Sequence, residues 1–318
     1  MPHSRLTIAS VRATEAAATA AARLRGRGDE QLADEMAADA MFSILNAMDM
    51  DATVVAGATD SDGGGGLQPG ARLGTGKRDR IDIAVDPLEG ATLAAKFMPN
   101  ALSVLAMARS GAMLKVPDCY MDKIAVGNNL PEGIIDLDNP PAENLKNLAE
   151  ARGVGVSDLT VCILDRPRNG AVIAAVREAG AAINLISDGD IAGVFHAANS
   201  EDTGIDMYLG SGGAPEGVLA AAALRCIGGQ MQARLSLPSR QDFAKAEKLM
   251  GTDPLRKLSL DDMVSGDVLF AATGVTDGTM LKGVRLGTRH VTTDSVIMRS
   301  STRSVRWIRT RRKAGHDG

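Results

Sequence analysis

The stretch Arg80-Ile-Asp-Ile-Ala-Val-Asp-Pro-Leu-Glu-Gly-Ala-Thr-Leu-Ala-Ala-Lys96 decides how this chain is organised. Ile81, Ile83 and Val85 alternate with smaller or polar residues, the period of a half-buried β-strand. Proline donates nothing to a ladder and fixes its own φ, so the strand is expected to stop at Asp86-Pro87. Gly90 frees the turn, and residues 91–96 read as a helix. Asp86 and Glu89 are thereby held at the end of a buried strand, where carboxylates are costly without a positive partner. A hard divalent cation with oxygen ligands supplies one, and the start of the next helix favours an anion. A metal beside a phosphate is the arrangement of a phosphatase. The alternative is a plain strand–turn–helix in which the aspartate caps the helix and Glu89 is solvated.

Outward from this stretch, 318 residues allow one large domain or two of ordinary size. Hydrophobic residues make up 45% of the chain and aromatics only 3%, so the core must be built from Ala, Val, Ile, Leu and the 15 methionines. A net charge of −4 gives no overall sign of nucleic-acid binding. The exception is the cluster Arg303, Arg306, Arg309, Arg311, Arg312 and Lys313, which reads as a solvated terminal strand and tail. Cys119, Cys162 and Cys226 are far apart, odd in number and without metal spacing, so they read as reduced and buried. The N-terminus has no apolar signal core and no run is long enough to span a membrane. A soluble cytoplasmic protein is expected, with no nucleic-acid partner and no membrane.

Residues 10–25 read as a helix broken at Arg25-Gly-Arg-Gly-Asp-Glu30. A second helix follows, with Ala37, Ala40, Met41, Ile44, Leu45 and Met48 on one face. Asp34, just before that run, is either its N-terminal capping acid or a ligand. A short strand is expected over 53–56. Residues 57–76 are glycine-dense and without period, which predicts a long mobile loop in which Asp60 and Asp62 either reach a cation or are solvated. Residues 102–108 and 113–116 read as a hairpin, 131–141 as a linker and 142–152 as an amphipathic helix.

From there strands and helices alternate, as in a parallel α/β sheet. Strands are expected at 159–164, 183–186 and 205–209, and helices at 170–178, through His196 and at 218–226. In such sheets ligands bind at the carboxyl ends of strands. Arg166, Arg168, Asp188, Asp190 and Glu216 are therefore candidates for one cleft. A strand at 268–275 and an antiparallel pair at 292–298 and 304–309 close the chain. The four histidines show no ligand spacing, and no Ser-His-Asp or Cys-His nucleophile is present.

Several motifs, in this order, resemble the class II fructose-1,6-bisphosphatases of the lithium-sensitive, metal-dependent phosphatase superfamily. They are Gly26-Arg-Gly-Asp with Ala33-Asp34, Asp82-Ile-Ala-Val-Asp-Pro-Leu-Glu-Gly90 and Met98-Pro-Asn-Ala101. Pro117-Asp-x-Tyr-Met-Asp-Lys123, Ser187-Asp-Gly-Asp190 and Gly210-x-Gly-Gly-Ala-Pro-Glu-Gly-Val218 complete the set. The resemblance runs from about residue 10 to 310. It implies an α/β protein with a layered α-β-α-β-α sugar-phosphatase fold. Residues 1–150 would form an N-terminal α+β metal-binding half, and 151–318 a C-terminal α/β substrate-binding half with closing strands at about 289–310. The activity implied is metal-dependent hydrolysis of the 1-phosphate of fructose 1,6-bisphosphate, as in gluconeogenesis. A homo-oligomer, dimer or tetramer, is implied with it.

Carried over by position, Asp34, Asp86, Glu89 and Glu216 would hold Mn²⁺ or Mg²⁺. Glu89, Gly90, Ala91, Tyr120, Arg166, Pro167, Arg168, Asp188, Gly189, Asp190 and Gly213 would hold the sugar bisphosphate. Four positions depart from the family pattern. Ala91 stands where the family has a threonine that orients the attacking water. Ala58 stands where it has a metal-ligating glutamate, Glu30 where it has a lysine and Asn169 where it has a histidine. Thr92 and Asp60 are the nearest candidates to replace the two lost groups. Two other readings follow from these departures. One is a catalytically weak or inactive relative that still binds a sugar phosphate, the other a phosphatase for a different sugar bisphosphate or an inositol-like monophosphate.

Overall fold

Alanine is the best intrinsic helix former, and α1 (Ser4–Ala22) is rich in it. Its Ala13, Ala17 and Ala21 are fully buried one turn apart, which lets it lie close to α2 (Glu30–Asn46), where Ala33 and Ala37 are buried as well. The structure, a computed structural model, describes residues 4–57, 65–78 and 80–315, the side chains of residues 4 and 5 excepted. After the two helices come β1 (Asp51–Ala56), β2 (Arg72–Leu73), β3 (Arg80–Glu89), α3 (Ala91–Ala95) and β4 (Leu102–Arg109). Next are β5 (Tyr120–Val126), α4 (Pro141–Arg152), β6 (Thr160–Leu164), α5 (Gly170–Glu178), β7 (Ala182–Ile186), α6 (Asp190–Ala198) and α7 (Ser200–Thr203). They are followed by β8 (Met207–Gly213), α8 (Ala214–Ile227), β9 (Gln230–Ser236), α9 (Arg240–Met250), β10 (Leu258–Ser259) and α10 (Leu260–Met263). The chain closes with β11 (Val268–Gly274), β12 (Arg285–Leu286), β13 (His290–Arg299) and β14 (Ser304–Lys313).

These elements form two compact units, one of residues 1–115 with 265–318 and the other of residues 116–264. The expected division at 150/151 falls instead just before the end of α4, inside the second unit. The C-terminal strands belong with the N-terminal half, because β11 pairs with β4 along its whole length.

The first unit holds an eight-stranded sheet in the order β12-β13-β11-β4-β3-β1-β2, with β14 paired to β13. The antiparallel pair expected near the C-terminus is present as β13 and β14, with β13 longer at both ends and β14 at its C-terminal end. The hairpin expected over 102–116 is not. β4 lies between β3 and β11, and the strand after it, β5, pairs in the other sheet. Within the expected loop at 57–76, β2 pairs with β1 through Leu73 and Arg72.

The second unit holds a six-stranded sheet in the order β10-β9-β5-β8-β6-β7. Strands β6, β7 and β8 are parallel, as the alternation predicts. Leu145 and Leu148 of α4 and Ile173 and Val176 of α5 share a core with Val161, Ile163 and Met207 on one face. Alternate residues of the same strands, Cys162 and Tyr208, face α6, where Gly193 permits the close approach. The segment 131–141 is no free linker: Gly133 and Leu137 donate backbone N–H groups to Gln230 and Gln232 of β9. No helix of the described residues is long and apolar enough to cross a membrane.

Candidate active site

β3 does not stop at Asp86-Pro87. Its register against β4 shifts between Asp86 and Glu89, so the proline sits in a β-bulge and the strand continues to Glu89. Nor is it half-buried, since Asp82 and Ala84 are covered along with Ile81, Ile83 and Val85. Asp82 is accounted for by backbone: its Oδ2 accepts from Gly111 N at 2.7 Å and Met113 N at 3.3 Å. The bulge sets the positions of the two candidate carboxylates. Asp86 Oδ1 accepts from Leu88 N at 3.1 Å, a local turn across the proline. Glu89 is only 4% exposed. Oxygens of Asp86 and Glu89 lie within 4.8 Å of one another, a separation that one cation can span. Gly90 follows at φ +81°, a left-handed conformation in which a Cβ would crowd Leu93.

Ala91 presents only a methyl, packed against the core of the first unit. The hydroxyl of Thr92 is engaged elsewhere, donating to Glu30 Oε2 at 2.9 Å. Asp29, whose side chain accepts from Leu32 N at 2.9 Å, caps α2. Asp34 is therefore not the capping acid: it lies inside α2, one turn beyond Glu30 and on the same face. Ala58, Asp60 and Asp62 lie outside the described residues.

In the second unit, the carboxyl ends of three parallel strands open on one edge, and the start of β5 joins them because Tyr120 pairs with Gly213. Arg166 and Pro167 follow β6. Arg168 donates Nε to Ser211 O at 3.0 Å and lays its guanidinium over the Tyr120 ring, 4.2 Å from the centroid. The planar fork is thus fixed by a hydrogen bond and a cation–π contact. Asp188 follows β7, with its Oδ1 accepting from Gly189 N at 3.0 Å, and Gly189 is left-handed at φ +86°.

Asp190 is not an open acceptor. It is buried at the start of α6 in an ion pair with Lys123, which is itself only 1% exposed, and Tyr208 donates its hydroxyl to Oδ2 at 3.4 Å. Lys123 also donates to Gly213 O at 2.8 Å, which ties the end of β8 to the same ammonium.

Glu216 occupies the first turn of α8. Its Oε2 is buried and no donor among the described residues reaches it. Burial raises its pKa to about 7, and the nearby Asp190 carboxylate adds to the rise. The Lys123 ammonium works against the rise without cancelling it. The glycines explain how Glu216 fits: a Cβ on Gly213 would overlap Glu216 Oε2, and one on Gly212 would overlap Asp190.

Two residues carry more of this edge than their positions in the sequence suggest. Lys123 was legible only as part of the Pro117–Lys123 motif. Asn169 stitches two strand ends, with Nδ2 donating to Leu164 O and Ser211 O at 3.0 and 3.2 Å and Oδ1 accepting from Ser211 N at 2.7 Å. Cys162 and Cys226 are buried as expected and Cys119 only partly so, and burial pushes the thiols of Cys119 and Cys162 up to about 12, away from the reactive thiolate. His196 is driven towards its neutral form by burial.

A family model described as bacterial fructose-1,6-bisphosphatase, glpX-encoded, matches residues 4–312. The chain is 40% identical to the class 2 fructose-1,6-bisphosphatase of Haemophilus influenzae, over 96% of this chain and 95% of the relative. It is equally 40% identical to fructose-1,6-bisphosphatase 1 class 2 of Escherichia coli K12, over 96% of this chain and 94% of that one. The match spans both units, and the chain belongs to the bacterial, glpX-encoded class 2 fructose-1,6-bisphosphatase family.

Proposed function

We propose that this chain hydrolyses the 1-phosphate ester of fructose 1,6-bisphosphate to fructose 6-phosphate, with Mn²⁺ or Mg²⁺ as cofactor. The observation that carries the reading is the continuous likeness, through both units, to proteins named fructose-1,6-bisphosphatase. The reaction is hydrolysis of a phosphoric monoester: a water oxygen bonds to phosphorus, the bond from phosphorus to the sugar oxygen breaks, and that oxygen takes a proton.

The donor set fits a hard divalent cation. Asp86 and Glu89 offer closely spaced carboxylate oxygens in the first unit, and Glu216 keeps a buried oxygen that no donor among the described residues reaches in the second. Asp34, Asp86, Glu89 and Glu216 are the residues assigned to hold it. When bound, such an ion supplies Lewis acidity towards a phosphoryl oxygen and acidifies water. The chain's own side chains then bind and orient. Arg166 and Arg168 are assigned to the second phosphate, a role that suits a guanidinium fork fixed in advance by Ser211 and Tyr120. Asp188, with Gly189 and Gly213, is assigned to the sugar. The pairing of Asp190 with Lys123 favours a supporting role for it, holding the ammonium that anchors Gly213. A homo-oligomer and a cytoplasmic location belong to the same proposal, on the likeness to the family.

Phosphate release from fructose 1,6-bisphosphate, assayed with Mn²⁺ and with Mg²⁺, tests this. Release that requires one of the ions, with a raised KM in Arg168→Ala, is the expected result. No release with either ion overturns it. A second reading, a weak or inactive relative that binds the sugar phosphate, is favoured by one observation. The hydroxyl nearest the lost threonine position, that of Thr92, is donated to Glu30.

A further inference from the structure

The arginines near the C-terminus lie on a largely exposed terminal strand, as their clustering predicts. β14 alternates them across the sheet: Arg312 reaches back to Thr19 of α1, while Arg309 and Arg311 stand on the opposite face. There they line a groove of about 680 Å³ with Arg285, Arg289, His290 and Thr292, all of the first unit. Arg285, Thr292 and Arg311 are direct neighbours across three strands, so two guanidinium groups flank one hydroxyl in a single transverse row.

Among the described residues no carboxylate lines this groove. Arg285 meets Asp277, but through Nη2 alone, at 2.7 and 2.9 Å. Among the described residues no ion pair engages Arg289, Arg309 or Arg311. Asp294, directly across from Arg309, accepts from Lys282 N. Arg311 Nη2 lies 3.3 Å from His290 Nδ1, which sets the imidazole beside the guanidinium. Four guanidinium groups, an imidazole and a hydroxyl thus converge on one groove, and among the described residues only Arg285 of the four is held in an ion pair. Trp307, 62% exposed, stands on the same face two residues before Arg309.

We propose that this end of the first sheet binds a small anion carrying two or more phosphate groups. Guanidinium forks match phosphate oxygens two at a time, and several phosphates in one ligand satisfy several forks at once. The site is separate from the carboxylates of β3. Asp86, Val104, Ala272, Val296 and Trp307 lie in one transverse row, so four strand spacings, roughly 19 Å, separate Asp86 from Trp307. The proposal does not depend on the catalytic reading.

The test is calorimetry on the full chain, metal-free in chelator, with inorganic tripolyphosphate and with ATP. The expected result is binding that weakens with salt, falls about ten- to hundredfold in Arg309→Gln/Arg311→Gln, and survives in Arg168→Ala. An unchanged melting temperature shows that the double variant is folded. If Trp307→Ala weakens ATP but not tripolyphosphate, the ligand is a nucleotide stacked on the indole. If it weakens neither, the phosphate chain alone is recognised. Absence of tripolyphosphate binding overturns the proposal, as does binding unchanged by the double variant or lost with Arg168. Binding of a single-stranded RNA without any of tripolyphosphate overturns it too.

Discussion

Glu216 Oε2 occupies the space that a Cβ on Gly213 would fill. Gly213 has an ordinary negative φ of −65°, so its lack of a side chain serves the carboxylate and not the backbone. Gly213→Ala should therefore displace Glu216 while leaving the turn intact. The expected effect is a loss of about 10–100-fold in Mn²⁺ affinity, the range typical when the support of a ligand is disturbed. Titration of the metal-free protein with Mn²⁺ measures it. Unaltered affinity would show that Glu216 is not a ligand.

Lys123 and Asp190 form a buried ion pair, and removing one partner strands the other. Lys123→Met should destabilise the protein by about 3–5 kcal/mol, because Asp190 is left as an unpaired buried charge. Lys123→Met/Asp190→Leu should recover most of that loss, since two apolar residues leave nothing to solvate. Urea unfolding of the two variants decides the matter. Equal destabilisation in both would mean that the pair is not what holds the edge together.

The same residues show where sequence reasoning reaches and where it stops. The alternation of Ile81, Ile83 and Val85 reveals a strand because both the pattern and its cause are local. Its continuation through Pro87 to Glu89 is hidden, because the bulge depends on the register that β4 imposes. Helix α5 is bounded as the periodicity predicts, but β4 pairs with β11, some 160 positions later, and no local pattern announces a partner that distant. β5 is harder still. Lys123 reads as a surface residue, and only Asp190, brought over by α6, makes it tolerable in a buried strand. The motif that contains it marks the position without saying what it does. Asn169 is legible in the same limited way, as a departure from the family residue, while its three hydrogen bonds to the ends of β6 and β8 are products of the fold.

Protonation of Glu216 gives a pH dependence with a definite sign. Its folded-state pKa of about 7 lies above the ordinary 4.5, so the folded chain holds this proton where the unfolded chain has lost it. The group's contribution to metal-free stability is fully present below about pH 4.5 and is lost as pH rises towards about 7. A bound cation reverses the preference, because ligation requires the carboxylate. The rise in melting temperature on adding Mn²⁺ should therefore be smaller at pH 6 than at pH 8. Below pH 7 the apparent affinity should fall by up to roughly tenfold per pH unit from this group. Glu216→Gln should flatten both trends. A Mn²⁺-induced rise that is the same at both pH values in the unmodified protein would rule out Glu216 as the titrating ligand.

The final prediction concerns turnover. Orienting an attacking water takes a hydrogen-bonding group within about 2.6–3.2 Å of it, and Ala91 offers none. Thr92 does not stand in while its hydroxyl is donated to Glu30, a residue that is itself a departure from the family lysine. By the family resemblance, Ala58 stands where a metal-ligating carboxylate is expected. Ala91→Thr with Ala58→Glu should raise kcat by at least roughly 10²-fold over the unmodified chain. Ala91→Thr alone should gain less, because a positioning hydroxyl and the ion that it serves act as one unit and their effects do not add. Glu30→Lys, which frees the Thr92 hydroxyl, separates the alternatives: a gain from that change alone would assign the water-orienting role to Thr92. The measurement is steady-state phosphate release under saturating substrate and metal. If the unmodified chain already turns over at about 1–10³ s⁻¹, ordinary for an enzyme, neither lost residue was needed.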